Sequence, residues 1–504
     1  MGRFYITTPI FYVNGDPHLG TAYAVILADA IARWHRLLGE EVLFVTGTDE
    51  HGLKIAQSAA RHGVTPQEWV DRTATEFQRA WDSLDVSYDD FVRTTQPRHH
   101  ETVQAFLGGI YERGDIYLGT YEGLYCVRCE AYYQPDELED GTRCPVHHVA
   151  CEHMHEENYF FRLSRYQEPL LAYYAGHPDA IVPETRRNEV LRFIEGGLSD
   201  ISITRTSIDW GVRVPWDPRH VFYVWYDALI NYLTVLDYGR DPERMAAWWP
   251  SVHHLLGKDI LRFHAVWWPA MCMAAGIDPP RRLIVTGWLL NEGEKMSKSL
   301  ANQIDPLAVA RTLGPDALRH YLVRSSAIGP DWDVSLEALV MLYNAELANG
   351  LGNLVARIVA LILQRAEATA PSAPPEPPAP LELVQALEEA RVGWERWRPN
   401  DAIDAAIGLV HRLNAYLEAT EPWRLPRSSP EVRAVLGAAR EGARIAALLL
   451  SPAVPRGAER ALQALGFANA GPLAWTPDQP STRLERSDPI YPRADFELLR
   501  EGLA

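Results

Sequence analysis

The chain has 504 residues, a length for which about three domains are expected, and with 47% of them hydrophobic and 23% charged its composition is globular, with apolar material for more than one core. A formal net charge of -18 argues against a general nucleic-acid binder, which needs a basic field to gather phosphates. The opening MGRFYITTPIFYVNG lacks a secretory signal, position 6 is Ile6 where a myristoylation signal wants Ser or Thr, and no apolar run approaches the ~20 residues of a membrane span, so a cytoplasmic protein is expected.

Residues 3–13, RFYITTPIFYV, are β-branched and aromatic and read as a strand. NGDP is turn chemistry, and residues 21–39 space their apolar side chains as a helix does. A second buried strand follows in EEVLFVTGTDEHG, residues 40–52. Strand, helix and strand in that order predict a right-handed parallel unit, the start of a doubly wound sheet. DPHLGT, residues 16–21, falls where the first strand meets the helix. Unpaired N–H groups and the helix dipole favour an anion there, and His18 with a close approach at Gly20 would complete a phosphate cradle. A plain helix start with an incidental histidine is the alternative.

Residues 116–208 interrupt the α/β pattern. Four of the five cysteines lie between Cys126 and Cys151, in the paired spacing Cys126-x₂-Cys129 and Cys144-x₂-His147. In a reducing compartment that pattern reads as a closed zinc site, with His148 and Cys151 competing with His147 for the fourth position. The α/β pattern resumes in residues 209–334 through HVFYVWYDALINYL, HHLLGKDILRFHAVWWPAM and RRLIVTGWLL. GEKMSKSLAN, residues 293–302, holds Lys295 and Lys298, although only four of the 48 basic residues in the chain are lysines. The other two, Lys54 and Lys258, also fall beside predicted strand ends. Lysine is a compact charge on a flexible stem and can follow a moving phosphate, whereas arginine's planar fork needs fixed geometry. From 335 to 504 the chain reads as helices, broken by APSAPPEPPAP, which is expected to be an exposed linker. Asn353 and Arg357 are four apart and share a helix face; Trp423 lies in ATEPWRLP.

HLGT near the start and KMSKS far downstream resemble the two signatures of the class I aminoacyl-tRNA synthetases. PIFYVNGDPHLGT, TGTDEHG, YVWYDALINYL, LLGKDILRFHAVWWPA and GEKMSKSLAN, in that order, resemble the methionyl-tRNA synthetases over nearly the whole chain. The resemblance implies an α/β fold: a Rossmann-like doubly wound parallel sheet (residues 1–115 and 209–334) split by a zinc-containing insertion (116–208) and followed by an α-helical bundle domain (335–504). It implies methionine activation by ATP and transfer of the methionyl group to the 3′ adenosine of tRNA(Met).

By that resemblance His18 and the backbone near Gly20 hold the ATP phosphates. Thr21 replaces a second histidine but keeps a hydroxyl able to donate. Lys295, Ser297 and Lys298 close on the triphosphate, and Gly257 and Asp259 hold the adenosine. The methionine pocket is Ile10, Tyr12, Asp49, Trp225, Ala228, Leu229, Tyr232, Ile260, His264 and Trp268, with Asp49 meeting the ammonium. Cys126, Cys129, Cys144 and His147 hold one structural Zn²⁺, and Mg²⁺ accompanies ATP. Asn353, Arg357 and Trp423 read the CAU anticodon. No appended domain follows DFELLREGLA, so a monomer is expected.

Overall fold

The computed structural model describes residues 2–126, 131–133, 138–146, 148–291, 294–295, 304–477, 481–486 and 488–497. Its centre is a seven-stranded sheet. The strands are β1 (Arg3–Thr7), β2 (Phe11–Tyr12), β3 (Glu41–Asp49), β4 (Asp90–Arg93), β5 (Ile181–Val182), β6 (Val252–Gly257) and β7 (Arg282–Thr286). They run in the order β2-β3-β1-β6-β7-β5, with β4 also paired to β3. Every pairing in the sheet is parallel. The order turns back between β1 and β6, which opens a crevice beyond the carboxyl ends of the strands.

Helix α1 (Leu19–Leu37) starts in that crevice. Thirteen of its nineteen residues are buried, because it packs on β1, β3 and β6 and also against a helix from later in the chain. Three further helices matter below: α2 (Val224–Leu229) at the crevice edge, α3 (Pro315–Ser325) against α1, and α4 (Leu336–Arg365), which leads into the helical region. Helices α5 (Pro399–Thr420) and α6 (Pro430–Leu450) complete its core. By length and composition α4 could cross a membrane, against the sequence reading. Its polar Asn344, Glu346 and Asn349 hide that in the linear pattern. More than half of its apolar window is buried against neighbouring helices, as in a bundle core.

Two other expectations need correcting. The stretch assigned to the insertion does form a separate antiparallel sheet, of Ile116–Cys126, Ala131–Tyr133, Glu152–Phe161 and Ile201–Ser202. Within it, however, the chain returns to the main sheet: β5 pairs with β7, Ile181 opposite Leu283. A two-residue strand carries too little pattern to be seen from sequence. The proline-rich stretch is an exposed linker only in part: Ser372, Pro375, Glu376, Ala379 and Pro380 are exposed, but its first half is tied down. Ala370 is fully buried, Arg440 donates to Pro371 O at 3.5 Å, and the Trp475 indole donates to Pro374 O at 2.9 Å. A Cβ on Gly437 would lie 1.9 Å from Ser372 O, so the strap lies directly on α6. Prolines bring carbonyls without N–H groups, and here side-chain donors satisfy them.

A buried ion pair locks α1 to α3, and its guanidinium reaches on into the helical region. Arg319 on α3 meets Asp29 on α1 at 2.6 Å, both side chains fully buried. The guanidinium also donates to Leu84 O, Pro452 O and Ala453 O. Asp29 accepts in addition from Arg33 and from the Ser87 backbone and hydroxyl. Burial pushes the Asp29 carboxyl up, but Arg319, Arg33 and Ser87 bring it below its ordinary value. Removing one member of such a pair leaves a buried charge uncompensated. Arg319→Met should therefore cost ~3–5 kcal/mol in urea unfolding, while replacing the exposed Arg391 should leave the midpoint unchanged.

Candidate active site

A cavity of about 510 Å³ opens at the carboxyl ends of the central strands, beside the start of α1. One end of it is built by the cap of α1. His18 is the N-cap of α1, and its Nδ1 accepts from the Gly20 N–H at 3.1 Å and the Thr21 N–H at 3.4 Å. Backbone N–H groups only donate, so Nδ1 carries no proton and Nε2–H is the ring's donor. Gly20 lets the ring fold over the helix start, since a Cβ there would come within 3.1 Å of His18 Cε1. Thr21 closes the capping box: its hydroxyl accepts from the His18 N–H at 3.0 Å and donates to His18 O at 2.7 Å. Its one proton is used locally, so the expected hydrogen bond from Thr21 to phosphate is not available in this geometry.

Ile10, Tyr12 and Asp49 line the cavity from the β1–β3 side. Asp49, at the end of β3, is only 5% exposed. The Tyr12 hydroxyl donates to His51 O at 3.0 Å, and the Lys54 ammonium sits 5.6 Å above the Tyr12 ring. Trp225, Ala228, Leu229 and Tyr232 form the opposite wall, with Trp225 stacked on Phe263 at 4.0 Å.

Tyr232 shares a hydrogen bond with His264, which also lines the cavity, and its direction is fixed by the acceptors present. His264 Nδ1 lies 3.0 Å from Ile260 O, which can only accept, so Nε2 is bare and takes the Tyr232 hydroxyl proton at 2.7 Å. Burial lowers the His264 pKa to about 4 and raises that of Tyr232. Both groups are therefore neutral near pH 7.

Trp268 does not line the cavity. It is fully buried, donates to His254 Nε2 at 3.2 Å, and backs the Tyr232 ring at 6.0 Å. The turn before it, Phe263–Trp267, is π-helical. The wider turn shifts the helical register, so the i,i+4 spacing from His264 no longer puts Trp268 on the cavity face.

At another part of the cavity wall, Gly257 ends β6 and Asp259 and Ile260 follow it. A Cβ on Gly257 would fall 2.6 Å from Asp259 Oδ1, so glycine admits the carboxylate over the strand end. Lys258, read as a cation required for ligand, is instead tied into the fold. Its ammonium bonds Asp331 at 2.7 Å and lies 3.9 Å above the Trp288 ring. Lys295 belongs to a two-residue strand paired antiparallel with Leu289–Asn291, opposite Leu290. Ser297 and Lys298 lie outside the described residues. The sequence reading missed Asn14, Tyr23, Thr286, Gly287 and Trp288, which also line the cavity. The Thr-Gly step ending β7 was the available signal: a Cβ on Gly287 would lie 2.0 Å from Pro330 O.

In the insertion, Cys126 and Cys144 are fully buried and in no disulfide. The Val146 N–H donates to Cys144 Sγ at 3.4 Å. Burial and the neighbouring Cys126 and Cys144 push the Cys151 thiol up. These three cysteines are the soft donor type that zinc takes, but among the described residues no group of three metal-binding side chains is placed to hold an ion. Cys129 and His147 lie outside the described residues. His148 faces away: it is 66% exposed and pairs with Glu139 at 2.9 Å. In the helical region Arg357 lies 5.3 Å from the Trp423 ring and bonds Glu418 at 2.6 Å, while Asn353 is exposed on the same helix.

Residues 4–152 and 133–359 match the family model described as tRNA synthetases class I (M). With the parallel sheet and the capped cavity at its turning point, the chain is a class I aminoacyl-tRNA synthetase. It is 44% identical over 482 residues to the methionine–tRNA ligase of Streptomyces coelicolor, covering 92% of this chain and 89% of that one. Identity to the Synechocystis methionine–tRNA ligase is 43% over 497 residues, with coverages of 96% and 92%. The chain superimposes on Mycobacterium tuberculosis methionyl-tRNA synthetase in complex with methionyl-adenylate with a TM-score of 0.92 at 42% identity, covering 98% of this chain and 100% of that one. Against the apo form of that enzyme the TM-score is 0.86 at 38% identity, covering 98% and 99%. Within the class, the chain belongs to the methionine–tRNA ligase family.

The buried histidines give a stability signature. Burial lowers His254 well below 6.5, and lowers His264 and His100 to about 4. Between pH ~6.5 and ~4 the unfolded chain binds protons that the folded chain refuses, so stability falls as pH falls through that window. Each such group adds a slope of up to ~1.4 kcal/mol per pH unit. Urea midpoints should drop steadily from pH 7 to pH 5, and NMR at pH 7 should find His264 neutral with its proton on Nδ1.

Proposed function

We propose that the cavity activates methionine with ATP and then transfers the methionyl group to the 3′ adenosine of tRNA(Met). The observation that carries this is the meeting, in one cavity, of a histidine-capped helix N-terminus and a buried Asp49 across an apolar slot. Asp49 receives the substrate ammonium. The slot suits a thioether because its polar members, Tyr232 and His264, are neutral and already bonded to each other.

The methionine carboxylate attacks the α-phosphorus of ATP, bound as its Mg²⁺ complex. The bond from that phosphorus to the bridging oxygen of pyrophosphate breaks, and methionyl-adenylate forms. No protein nucleophile is required. The chain's part is to align the reactants and to meet the developing charge with the His18 Nε2–H, the positive end of the α1 dipole and the KMSKS lysines. Asp259 accepts from the ribose hydroxyls. In the second step the 3′-terminal ribose hydroxyl of tRNA attacks the activated carbonyl carbon, and AMP leaves with the bonding electron pair.

Cys126, Cys129 and Cys144, with His147 or Cys151, would hold a zinc ion that cross-links the insertion and has no part in the chemistry. Arg357 and Trp423, with the exposed Asn353, form the surface we assign to the CAU anticodon.

ATP–pyrophosphate exchange with a panel of amino acids tests the reading. Methionine should drive exchange, and cysteine, leucine and valine should not. Exchange driven best by another amino acid would reject it. Trp423→Ala should leave exchange unchanged and lower kcat/KM for tRNA, since stacking on an unpaired base contributes ~1–3 kcal/mol. A parallel fall in exchange would make Trp423 a packing residue, and no change in either would move anticodon reading elsewhere.

A further inference from the structure

The two walls of the amino-acid slot come from distant parts of the chain. One is the end of β3, which carries Asp49; the other is α2, which carries Trp225, Ala228 and Leu229. Behind the slot they are joined through Asp227, which is fully buried on α2. Both of its carboxylate oxygens are taken: Oδ2 accepts from His51 Nδ1 at 2.7 Å and Oδ1 from His99 Nε2 at 3.2 Å. Burial alone would push this carboxyl up, yet His51 and His99 bring it down to about 2, so it is an anion at working pH. His99 is itself fixed by Thr234 Oγ1 at 2.9 Å.

None of Asp227, His51 and His99 lines the cavity. Their placement therefore has a use other than touching substrate. His51 is two residues beyond Asp49, and its carbonyl accepts from the Tyr12 hydroxyl, so its position sets two groups of the near wall. Glu50, between them, is anchored in the opposite direction, to Thr48, Arg93 and Thr95 on the β3–β4 side. The His51–Asp227 bond is thus a tie across to the far wall.

We propose that Asp227 is a positioning residue that sets the distance between the ammonium-binding and side-chain-binding walls of the slot, through His51. The proposal rests on methionine being the substrate. It predicts an effect confined to the amino acid, because the ATP end is built from the α1 cap and the strand end at Gly257, neither of which Asp227 touches.

The measurement is ATP–pyrophosphate exchange with separate KM values for methionine and ATP, alongside thermal melting. Asp227→Asn keeps the size but leaves one oxygen where two ring donors must be met. It should raise the methionine KM about tenfold, the scale of one lost charge-assisted hydrogen bond, with the ATP KM within about twofold. His51→Phe should do the same, and His51→Asn, which restores a donor near the Nδ1 position, should recover most of the loss. A purely structural role would lower active enzyme and kcat without separating the two KM values.

An unchanged methionine KM, or both KM values rising together, would overturn the proposal. Should Asp227→Asn fail to fold, the His51 pair decides, and equal methionine KM values in His51→Phe and His51→Asn would reject it. Wild-type enzyme that exchanges with methionine keeps these outcomes distinct from a failure of the functional reading. Wild-type enzyme that does not exchange overturns both.

Discussion

The contact between Asp29 and Arg319 fixes the helix on which the rest of the structure depends. Helix α1 is buried on most of its circumference because it is gripped twice, by the sheet on one side and by α3 on the other. Its N-terminus is therefore a rigid object, and the cap that His18 builds there inherits that rigidity. A charged pair inside a core is a poor source of net stability, because both partners lose water. It is a strong source of register, since each of its hydrogen bonds is lost if α1 slides or rotates against its neighbours. The guanidinium also reaches carbonyls at Leu84, Pro452 and Ala453, so one side chain aligns three segments that are far apart in sequence.

Much of the cavity was legible in the sequence for a physical reason. Polar residues such as His18, Asp49 and Asp259 sit directly after apolar strands or at a helix start, where a parallel sheet exposes its ends. What could not be read were features that depend on geometry within an element. Trp267 and Trp268 are indistinguishable as letters, and only the π-helical turn decides which face each takes. Thr21 offers a donor in composition, yet the capping box consumes it. Lys258 and Asp331 are distant in sequence, so the pairing that removes Lys258 from ligand duty has no local signature. The join from His51 to Asp227 was invisible for the same reason.

The scarcity of lysine gains an explanation from where the arginines are. Arg319, Arg440 and Arg444 are all buried, each donating to several backbone carbonyls; Arg444 reaches Ala470, Pro472 and Ala474 and also pairs with Glu441. A planar fork with several donors can close the ends of a helix or strap where no backbone partner is available, and an ammonium cannot span such a set. The chain thus uses arginine as internal joinery.

The return of the chain to β5 changes what kind of object the inserted region is. A module that leaves and re-enters a fold at one point can be exchanged between relatives, trimmed or lost without disturbing its host. This one is stitched through the host's border: β5 covers the outer side of β7, and cutting out residues 116–208 as a block would strip that strand and leave β7 as a bare edge. Among the described residues, the two long strands of the hairpin between Ile116 and Phe161 pair only with the insertion's own sheet, so a change of length there leaves the borders of the main sheet intact. A graft that lengthens or shortens that hairpin would therefore succeed there and fail at the boundaries that the sequence suggests.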